Sequence, residues 1–308
     1  MTSEPLPSIE GADVSMETVE GRTVRVARWK AKSGSKDQVP LLFFNGVGAN
    51  IELVAPFAKQ LDARDFIMFD MPGVGGSPDP VVPYNAFTMT KLAKHLLVRF
   101  GYDVVDVMGV SWGVAMAQHF AMQYPKRTRR VVLAATSAGM IMVPGKFSAL
   151  SKMANPRRYI DPEFMAKNFA TLYGGSTEGA NGHMSRIKPP SPVGYLYQLL
   201  ALAGWTSAPF APFLFKAKTL ILMGDKDNVV PVANGKILNT VIPNSELKII
   251  EGGGHLFMVS KAEETLKLIN DFLDAPDDMA EAEEVAAAKP AKASSRSAKV
   301  VPIKKAAS

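Results

Sequence analysis

The stretch Gly-Val-Ser-Trp-Gly at residues 109–113 governs the interpretation of this sequence. It follows a β-rich run, Val104–Val110, and opens a helical pattern, Val114–Tyr124. A serine between two glycines at a strand-to-helix turn adopts a strained backbone, and side chains at the glycine positions would collide in so tight a turn. We therefore predict that Ser111 is presented at the carboxyl edge of a sheet as a catalytic nucleophile.

A serine hydroxyl needs a base to act as a nucleophile near neutral pH, and one of the four histidines has a suitable context. His255 lies in a glycine-rich loop directly after a predicted strand, Leu247–Ile250, so it can face Ser111 from the same sheet edge. We predict that His255 is the base. The remaining histidines are assigned to packing or to solvent: His95, His119 and His183.

A carboxylate should orient the histidine and stabilise its protonated form. Asp225 and Asp227 both follow the predicted strand Thr219–Met223. Asp225 could instead cap the turn, whereas Asp227 lies further out in the loop and has the freer reach. Asp227 is therefore preferred and Asp225 is the alternative. The chain order of nucleophile, acid and histidine is then the one found in α/β-hydrolases.

Two backbone N–H groups should stabilise the negative oxygen of a tetrahedral intermediate. One is the N–H of Trp112, the residue after the nucleophile. The other should come from the loop at residues 45–50, which follows the predicted strand Leu41–Phe44. We predict Val47 as this donor, because the glycines on either side of it permit a close approach.

Short β-rich runs alternate with helical patterns along most of the chain. Such alternation predicts right-handed crossovers and an α/β fold, with a mostly parallel sheet and helices on both faces. The other predicted strands are Thr23–Arg28, Phe66–Phe69 and Val131–Ala134. The other predicted helices are Ala55–Leu61, Thr88–Phe100, Ala233–Thr240 and Ala262–Leu273.

Residues 136–215 interrupt this alternation with an apolar, aromatic-rich segment. We interpret them as a helical cap inserted between two late strands, which leaves residues 16–135 and 216–273 as the hydrolase core. Most of the aromatic side chains should form the cap's own core, and a few should line a cleft. The candidate substrate contacts, chosen on composition, are Asn45, Met142, Tyr159, Tyr195, Trp205 and Phe210.

Composition excludes several classes of protein. The 308 residues contain no Cys, which excludes disulfides, thiolate nucleophiles and cysteine-bound metals and fits a reducing cytoplasm. No apolar run is long enough to span a membrane. Residues 1–15 have no features of a secretory signal, and we expect them to be mobile.

The net charge of +6 belongs to the end of the chain. Residues 285–308 carry six Lys or Arg and no acid, so the remaining 29 bases balance the 29 acids. A neutral body argues against specific nucleic-acid binding. We expect residues 274–308 to be a disordered tail, basic at its end, which serves either to solubilise the chain or to contact an acidic partner or granule coat.

Several stretches together carry a resemblance to the α/β-hydrolase superfamily and, within it, to the intracellular poly(3-hydroxyalkanoate) depolymerases. The resemblance runs from about residue 17 to 273 and includes the cap. It is carried by Phe-Asn-Gly-Val-Gly-Ala-Asn at 44–50, Pro-Gly-Val-Gly-Gly-Ser at 72–77, the stretch at 109–113, Met-Val-Pro-Gly-Lys at 142–146, Asn-Pro-Arg-Arg-Tyr at 155–159 and Gly-Trp-Thr-Ser at 204–207.

The resemblance implies a cytoplasmic serine esterase, possessing no metal or organic cofactor, that releases 3-hydroxy acids or oligomers from a stored medium-chain polyester through an acyl-enzyme. It also implies that the catalytic acid is Asp227. Association with storage granules is a further expectation. The alternatives are a general carboxylesterase or lipase that acts on small hydrophobic esters, and a granule-associated binding protein.

Overall fold

An eight-stranded sheet organises the chain in the computed structural model, which describes residues 8–32 and 38–276. Its spatial order is β1-β2-β4-β3-β5-β6-β7-β8, and β2 alone runs opposite to the other strands, so it pairs antiparallel with β1 and β4. The predicted fold class, a mostly parallel α/β-hydrolase sheet, is therefore confirmed. The strands are β1 Ala12–Val19, β2 Arg22–Trp29, β3 Leu41–Phe44, β4 Phe66–Phe69, β5 Val105–Val110, β6 Thr128–Ala134, β7 Lys218–Gly224 and β8 Ser245–Ile250.

Helices connect the parallel strands and occupy the segment between β6 and β7. In the described residues they are α1 Ile51–Ala58, α2 Ala86–Arg99, α3 Gly113–Gln123, α4 Phe147–Met153, α5 Arg157–Ile160, α6 Pro162–Tyr173, α7 Ala180–Met184, α8 Pro192–Leu200, α9 Ala211–Leu214, α10 Val232–Val241, α11 Phe257–Ser260 and α12 Ala262–Asp274.

The central strands are buried on both faces, so their side chains divide between two cores. In β3, Leu42 and Phe44 belong to the core under α2, α3 and α10, whereas Leu41 and Phe43 belong to the core under α1 and α12. This arrangement explains why the short strands read as continuous apolar runs. It also leaves only the strand ends and the loops that follow them to carry polar chemistry.

Residues 136–215, called the cap segment below, contain α4 to α9 and lie between β6 and β7 in the chain. The cap segment has a small apolar cluster of its own, centred on Met165, Phe169, Leu172 and Tyr173. The described residues up to Leu273 nevertheless cluster as one unit, with the cap segment included.

The amino-terminal region differs from the expectation. β1 begins at Ala12, inside the stretch expected to be mobile, and pairs along its length with β2 from Ala12–Trp29 to Val19–Arg22. Residues 12–17 do alternate, with Ala12, Val14 and Met16 on one face and polar side chains on the other. The strand was missed because the polar residues before it, which include Pro and Gly, suggested a mobile terminus through residue 15. Residues 1–7 and 277–308, which include the basic end of the tail, lie outside the described part of the chain. No helix in the described residues is long and apolar enough to cross a membrane.

Candidate active site

The turn between β5 and α3 holds Ser111 in a left-handed backbone conformation, with φ of +53°. A Cβ atom at Gly109 would lie 2.5 Å from the carbonyl oxygen of Gly113. A Cβ atom at Gly113 would lie 2.1 Å from the carbonyl oxygen of Phe44 in the neighbouring strand. Both glycines are therefore required by backbone contacts, and the turn projects Ser111 beyond the carboxyl end of β5.

Three loops at this edge of the sheet bring Ser111, His255 and Asp227 together. His255 Nε2 lies 2.9 Å from Ser111 Oγ, and His255 Nδ1 lies 2.8 Å from Asp227 Oδ2. The histidine and the aspartate are both buried, which strengthens their electrostatic interaction. With Nδ1 protonated by this arrangement, Nε2 is the nitrogen that can accept a proton from the serine.

Asp227 is held for this position by its own loop. Its Oδ1 accepts hydrogen bonds from the N–H groups of Val229 at 2.7 Å and Val230 at 2.9 Å, which leaves Oδ2 for the histidine. The alternative carboxylate, Asp225, pairs instead with Lys226 at 3.1 Å. The structure therefore places Asp227 against His255, as the loop position predicted.

The loop that carries His255 packs against the end of α6. The N–H of His255 donates to the carbonyl oxygen of Tyr173 at 2.7 Å, and the two rings are nearly parallel, with centroids 6.2 Å apart. A Cβ atom at Gly254 would lie 2.1 Å from the carbonyl oxygen of Gly174, so the glycine run permits this close packing. The sequence offered no signal for Tyr173, because its role depends on how the cap segment meets the loop.

The loop after β3 lies directly beside the nucleophile. A Cβ atom at Gly46 would lie 3.7 Å from the Cβ of Ser111. The N–H of Gly46 donates to Asn45 Oδ1 at 2.9 Å, and the N–H of Gly48 donates to Gln198 Oε1 at 2.7 Å. These two donors are therefore already occupied.

The N–H groups of Val47 and Trp112 have no hydrogen-bond partner within the described ranges. Both flank Ser111, so they can serve an oxygen that develops negative charge there. The surroundings fix both residues. The carbonyl oxygen of Val47 accepts from Tyr159 Oη at 2.7 Å, and the indole N–H of Trp112 donates to the carbonyl oxygen of Gln198 at 2.9 Å.

A mostly apolar cavity opens onto Ser111 and His255. Asn45 and Tyr159, two of the six residues predicted to contact substrate, line it. Asn45 also has a structural task, because its amide group bridges the N–H of Gly46 and the carbonyl oxygen of Asn50. The apolar side chains of the lining include Leu53, Val54, Phe57, Met165, Ile187 and Met258.

The other four predicted contacts do not line this cavity. Trp205 and Phe210 line a separate depression beside His119, and the Trp205 indole lies 3.2 Å from His119 Nδ1. Tyr195 packs edge-on against Tyr159, and Met142 is partly exposed at the surface. These residues were chosen on composition, which does not specify which face of an inserted helix meets the sheet edge.

Two basic side chains of the cavity wall were not predicted to lie there. His183 was expected to be solvated but lines the cavity, where burial lowers the pKa of its imidazole to about 4. It is therefore neutral near pH 7. Arg158 also lines the cavity and is buried. Arg158 lies within the stretch at residues 155–159 that carried the family resemblance, but only Tyr159 of that stretch was given a role. The described residues contain no cluster of three or more side chains suited to metal binding.

Comparisons with known proteins agree with this geometry. A family model described as alpha/beta hydrolase fold matches residues 39–174. The chain is 43% identical over 260 residues to a poly(3-hydroxyalkanoate) depolymerase of Ectopseudomonas oleovorans, which covers 83% of this chain and 90% of that protein. It is 27% identical over 259 residues to a 2-hydroxy-6-oxo-2,4-heptadienoate hydrolase of Pseudomonas putida, covering 79% of this chain and 91% of the relative.

Solved structures are similar in fold. An esterase from Exiguobacterium antarcticum superposes with a TM-score of 0.71 at 18% identity, covering 84% of this chain and 98% of that one. At this level of identity the similarity concerns the fold alone.

Proposed function

Because the chain belongs to the poly(3-hydroxyalkanoate) depolymerase family of α/β-hydrolases, we propose that it hydrolyses the ester bonds of a poly(3-hydroxyalkanoate). The observation that carries this proposal is the hydrogen-bonded triad of Asp227, His255 and Ser111, in which His255 and Ser111 line a mostly apolar cavity. The triad supplies a nucleophile and a base, and the cavity suits a hydrophobic acyl chain.

In the proposed reaction, Ser111 Oγ attacks the carbonyl carbon of an ester as His255 Nε2 removes its proton. Asp227 keeps the imidazole in the required tautomer and stabilises the imidazolium. The N–H groups of Val47 and Trp112 donate to the negative oxygen of the tetrahedral intermediate. The ester C–O bond then breaks, and the leaving alkoxide takes the proton from His255.

Water completes the cycle. His255 removes a proton from a water molecule, whose oxygen attacks the carbonyl carbon of the acyl-enzyme. The second tetrahedral intermediate collapses, Ser111 recovers its proton, and a free carboxylate leaves. Each turnover thus converts one ester bond and one water into a hydroxyl end and a carboxyl end.

We also propose that the enzyme acts in the cytoplasm at the surface of polymer granules. More than half of the large apolar side chains exposed in the described residues lie in the cap segment, including Phe147, Ile160 and Phe213. A concentration of exposed apolar side chains in one segment favours adsorption to a hydrophobic surface. Co-sedimentation with granules of a triple variant, Phe147→Ser, Ile160→Ser and Phe213→Ser, should fall at least severalfold. Unchanged co-sedimentation would contradict this part of the proposal.

The basic end of the chain is a separate candidate for granule contact, since it could bind an anionic granule coat. A chain truncated after Leu273 tests this hypothesis in the same assay. If the tail binds the coat, truncation should weaken co-sedimentation and added salt should weaken it further in the full chain. Equal binding of both chains at every salt concentration would end the tail hypothesis.

The second candidate function is that of a general esterase acting on small hydrophobic esters, which the apolar cavity also suits. Release of 3-hydroxy acids from purified medium-chain polyester granules should be compared with hydrolysis of a short p-nitrophenyl ester. Depolymerase function predicts soluble 3-hydroxy acids or oligomers from the granules. Hydrolysis of the p-nitrophenyl ester alone would make the protein a general esterase. Binding to granules without any hydrolysis would favour a binding protein.

A further inference from the structure

The cavity wall contains a buried cation with no carboxylate partner. The side chain of Arg158 is only 5% exposed, and it lines the same cavity as Ser111 and His255. Within the described ranges no carboxylate lies at ion-pair distance from its guanidinium. A buried charge without a counter-charge is strongly disfavoured, so the position calls for an explanation.

The groups around Arg158 are all neutral. Its Nη1 contacts Met153 Sδ at 3.3 Å, and its Nη2 donates to the hydroxyl groups of Tyr159 and, at 3.2 Å, Tyr195. The guanidinium also lies over the Tyr159 ring, 4.2 Å from its centroid. Its Nε has no hydrogen-bond partner among the described residues. These contacts hold the guanidinium group in place, but they neither neutralise its charge nor use all of its N–H donors.

Two other buried arginines are neutralised by carboxylates. Arg25 pairs with Asp70 at 2.7 Å and with Glu52 at 2.8 Å, and Arg64 pairs with Asp106 at 3.3 Å. A carboxylate thus lies at ion-pair distance from each of these two guanidinium groups. Arg158 differs from both, and it lines the cavity in which a substrate could provide the carboxylate.

We infer that Arg158 binds the free carboxylate at the end of a polyester or oligoester chain. This inference rests on the proposed depolymerase function. Along such a chain the repeating esters are uncharged, and the terminal carboxylate is the one anionic group. A planar guanidinium is the side chain best matched to a carboxylate, with two parallel hydrogen bonds. Arg158 therefore selects the carboxyl end of the polymer.

Binding of the chain end also determines which ester is cleaved. With the terminal carboxylate on Arg158, the last ester of the chain lies toward Ser111, and the terminal unit is the leaving alcohol. Attack by Ser111 Oγ breaks the ester C–O bond, His255 protonates the released hydroxyl, and one 3-hydroxy acid leaves. Water then releases the shortened chain from Ser111 with a new carboxylate end. Each cycle therefore regenerates the group that Arg158 recognises.

The test uses a trimer of 3-hydroxyoctanoate as the free acid and as its methyl ester, with cleavage followed by chromatography. In the wild type, kcat/KM should be about ten- to a hundredfold higher for the acid, as expected for hydrogen bonds to a charged group. Arg158→Met should bring the ratio of acid to methyl ester close to one. Arg158→Lys should keep part of the preference, because it keeps the charge but loses the two parallel N–H donors of the guanidinium group.

The ratio is the readout because Tyr159 connects Arg158 to the carbonyl oxygen of Val47, so a substitution can lower the rate on every ester. A common loss cancels in the ratio. Arg157→Gln is the matched control, since the neighbouring Arg157 is exposed and pairs with Asp161, and it should leave the ratio unchanged.

Equal wild-type rates on the acid and the methyl ester would overturn the inference and leave the proposed function intact. An undiminished acid preference in Arg158→Met would do the same. If the wild type hydrolysed no ester at all, the proposed function would fail and this inference with it.

Discussion

The carboxyl edge of the sheet and the cap segment hold their functional groups by different means. At the sheet edge the constraints come from the backbone. Ser111 has a left-handed conformation, glycines sit where a Cβ atom would collide with carbonyl oxygens, and two backbone N–H groups donate to the Asp227 carboxylate. In the cap segment they come from side chains, such as Tyr159 on the carbonyl oxygen of Val47 and Gln198 on the N–H of Gly48. A backbone constraint cannot be repacked, whereas a side-chain contact can be exchanged. Substitutions at the two regions should therefore differ in severity.

The largest effect on kcat is expected at the sheet edge, where Asp227 is compared with the neighbouring Asp225. Asp227→Asn should lower kcat by about 10⁴-fold, because the amide stabilises the wrong imidazole tautomer and no imidazolium. Asp225→Asn is the control and should change kcat by less than about twofold, since Asp225 pairs with an exposed lysine. Steady-state kinetics on p-nitrophenyl octanoate measure both. Similar losses in the two variants would contradict the assignment of the acid.

A pair of glycine substitutions compares the sheet edge with the cap segment through the free energy of unfolding. Gly113→Ala should lower the free energy of unfolding by about 3 kcal/mol or more, because the new Cβ would meet the carbonyl oxygen of Phe44 at 2.1 Å. Gly182→Ala, in α7 of the cap segment, meets only the flexible end of Arg186 at 3.5 Å. It should be neutral or stabilise by up to about 1 kcal/mol. Urea denaturation measures both variants. A larger loss of unfolding free energy in Gly182→Ala than in Gly113→Ala would contradict the difference between the two regions.

A smaller effect is expected where the cap segment supports the sheet edge. Tyr159→Phe removes the hydrogen bond to the carbonyl oxygen of Val47 and should lower kcat about five- to tenfold, the worth of roughly one hydrogen bond. Tyr195→Phe is matched to it, because Tyr195 also accepts from Arg158 but makes no hydrogen bond to that loop. It should stay within about twofold on a neutral ester. Equal losses of kcat in the two variants would show that the hydrogen bond from Tyr159 to the carbonyl oxygen of Val47 does not contribute to the rate.

The smallest effect concerns pH. Burial holds the pKa of His183 at about 4 in the folded protein, below the value of about 6.5 expected in the unfolded chain. As pH falls below 6.5 the unfolded chain gains a proton that the folded protein does not, so stability declines until about pH 4. Between pH 7 and 6 the loss from this group should be under about 1 kcal/mol. His183→Gln should flatten the decline in urea denaturation, and an unchanged profile would count against a neutral, buried His183.

The same contrast explains what the sequence could predict. Ser111, Asp227 and His255 were found because each follows a strand, and strand ends of a parallel sheet meet at one edge. Val47 was chosen because glycines flank it on both sides, and its role as a donor stays a prediction. β1 was missed although residues 12–17 alternate between apolar and polar side chains, because the polar residues before it, with their Pro and Gly, suggested a mobile terminus.

In the cap segment, composition indicated aromatic side chains near the site but not which ones. Tyr159 reaches the cavity, whereas Trp205 and Phe210 pack beside His119 on a different surface. The choice depends on how short helices of the insertion rotate and pack, which no local pattern encodes. Arg158 and His183 were overlooked for the same reason, since their importance comes from burial and burial there is a tertiary property.

The most direct measurement of the central claim is covalent labelling with an activated p-nitrophenyl alkylphosphonate, which mimics the tetrahedral intermediate. Intact mass and peptide mapping should find one adduct per chain, on Ser111, formed in step with the loss of polyester hydrolysis. Ser111→Ala should neither react nor hydrolyse granules, and it should unfold like the parent. Labelling of another residue in step with inactivation, or hydrolysis that persists once Ser111 is fully labelled, would contradict the account.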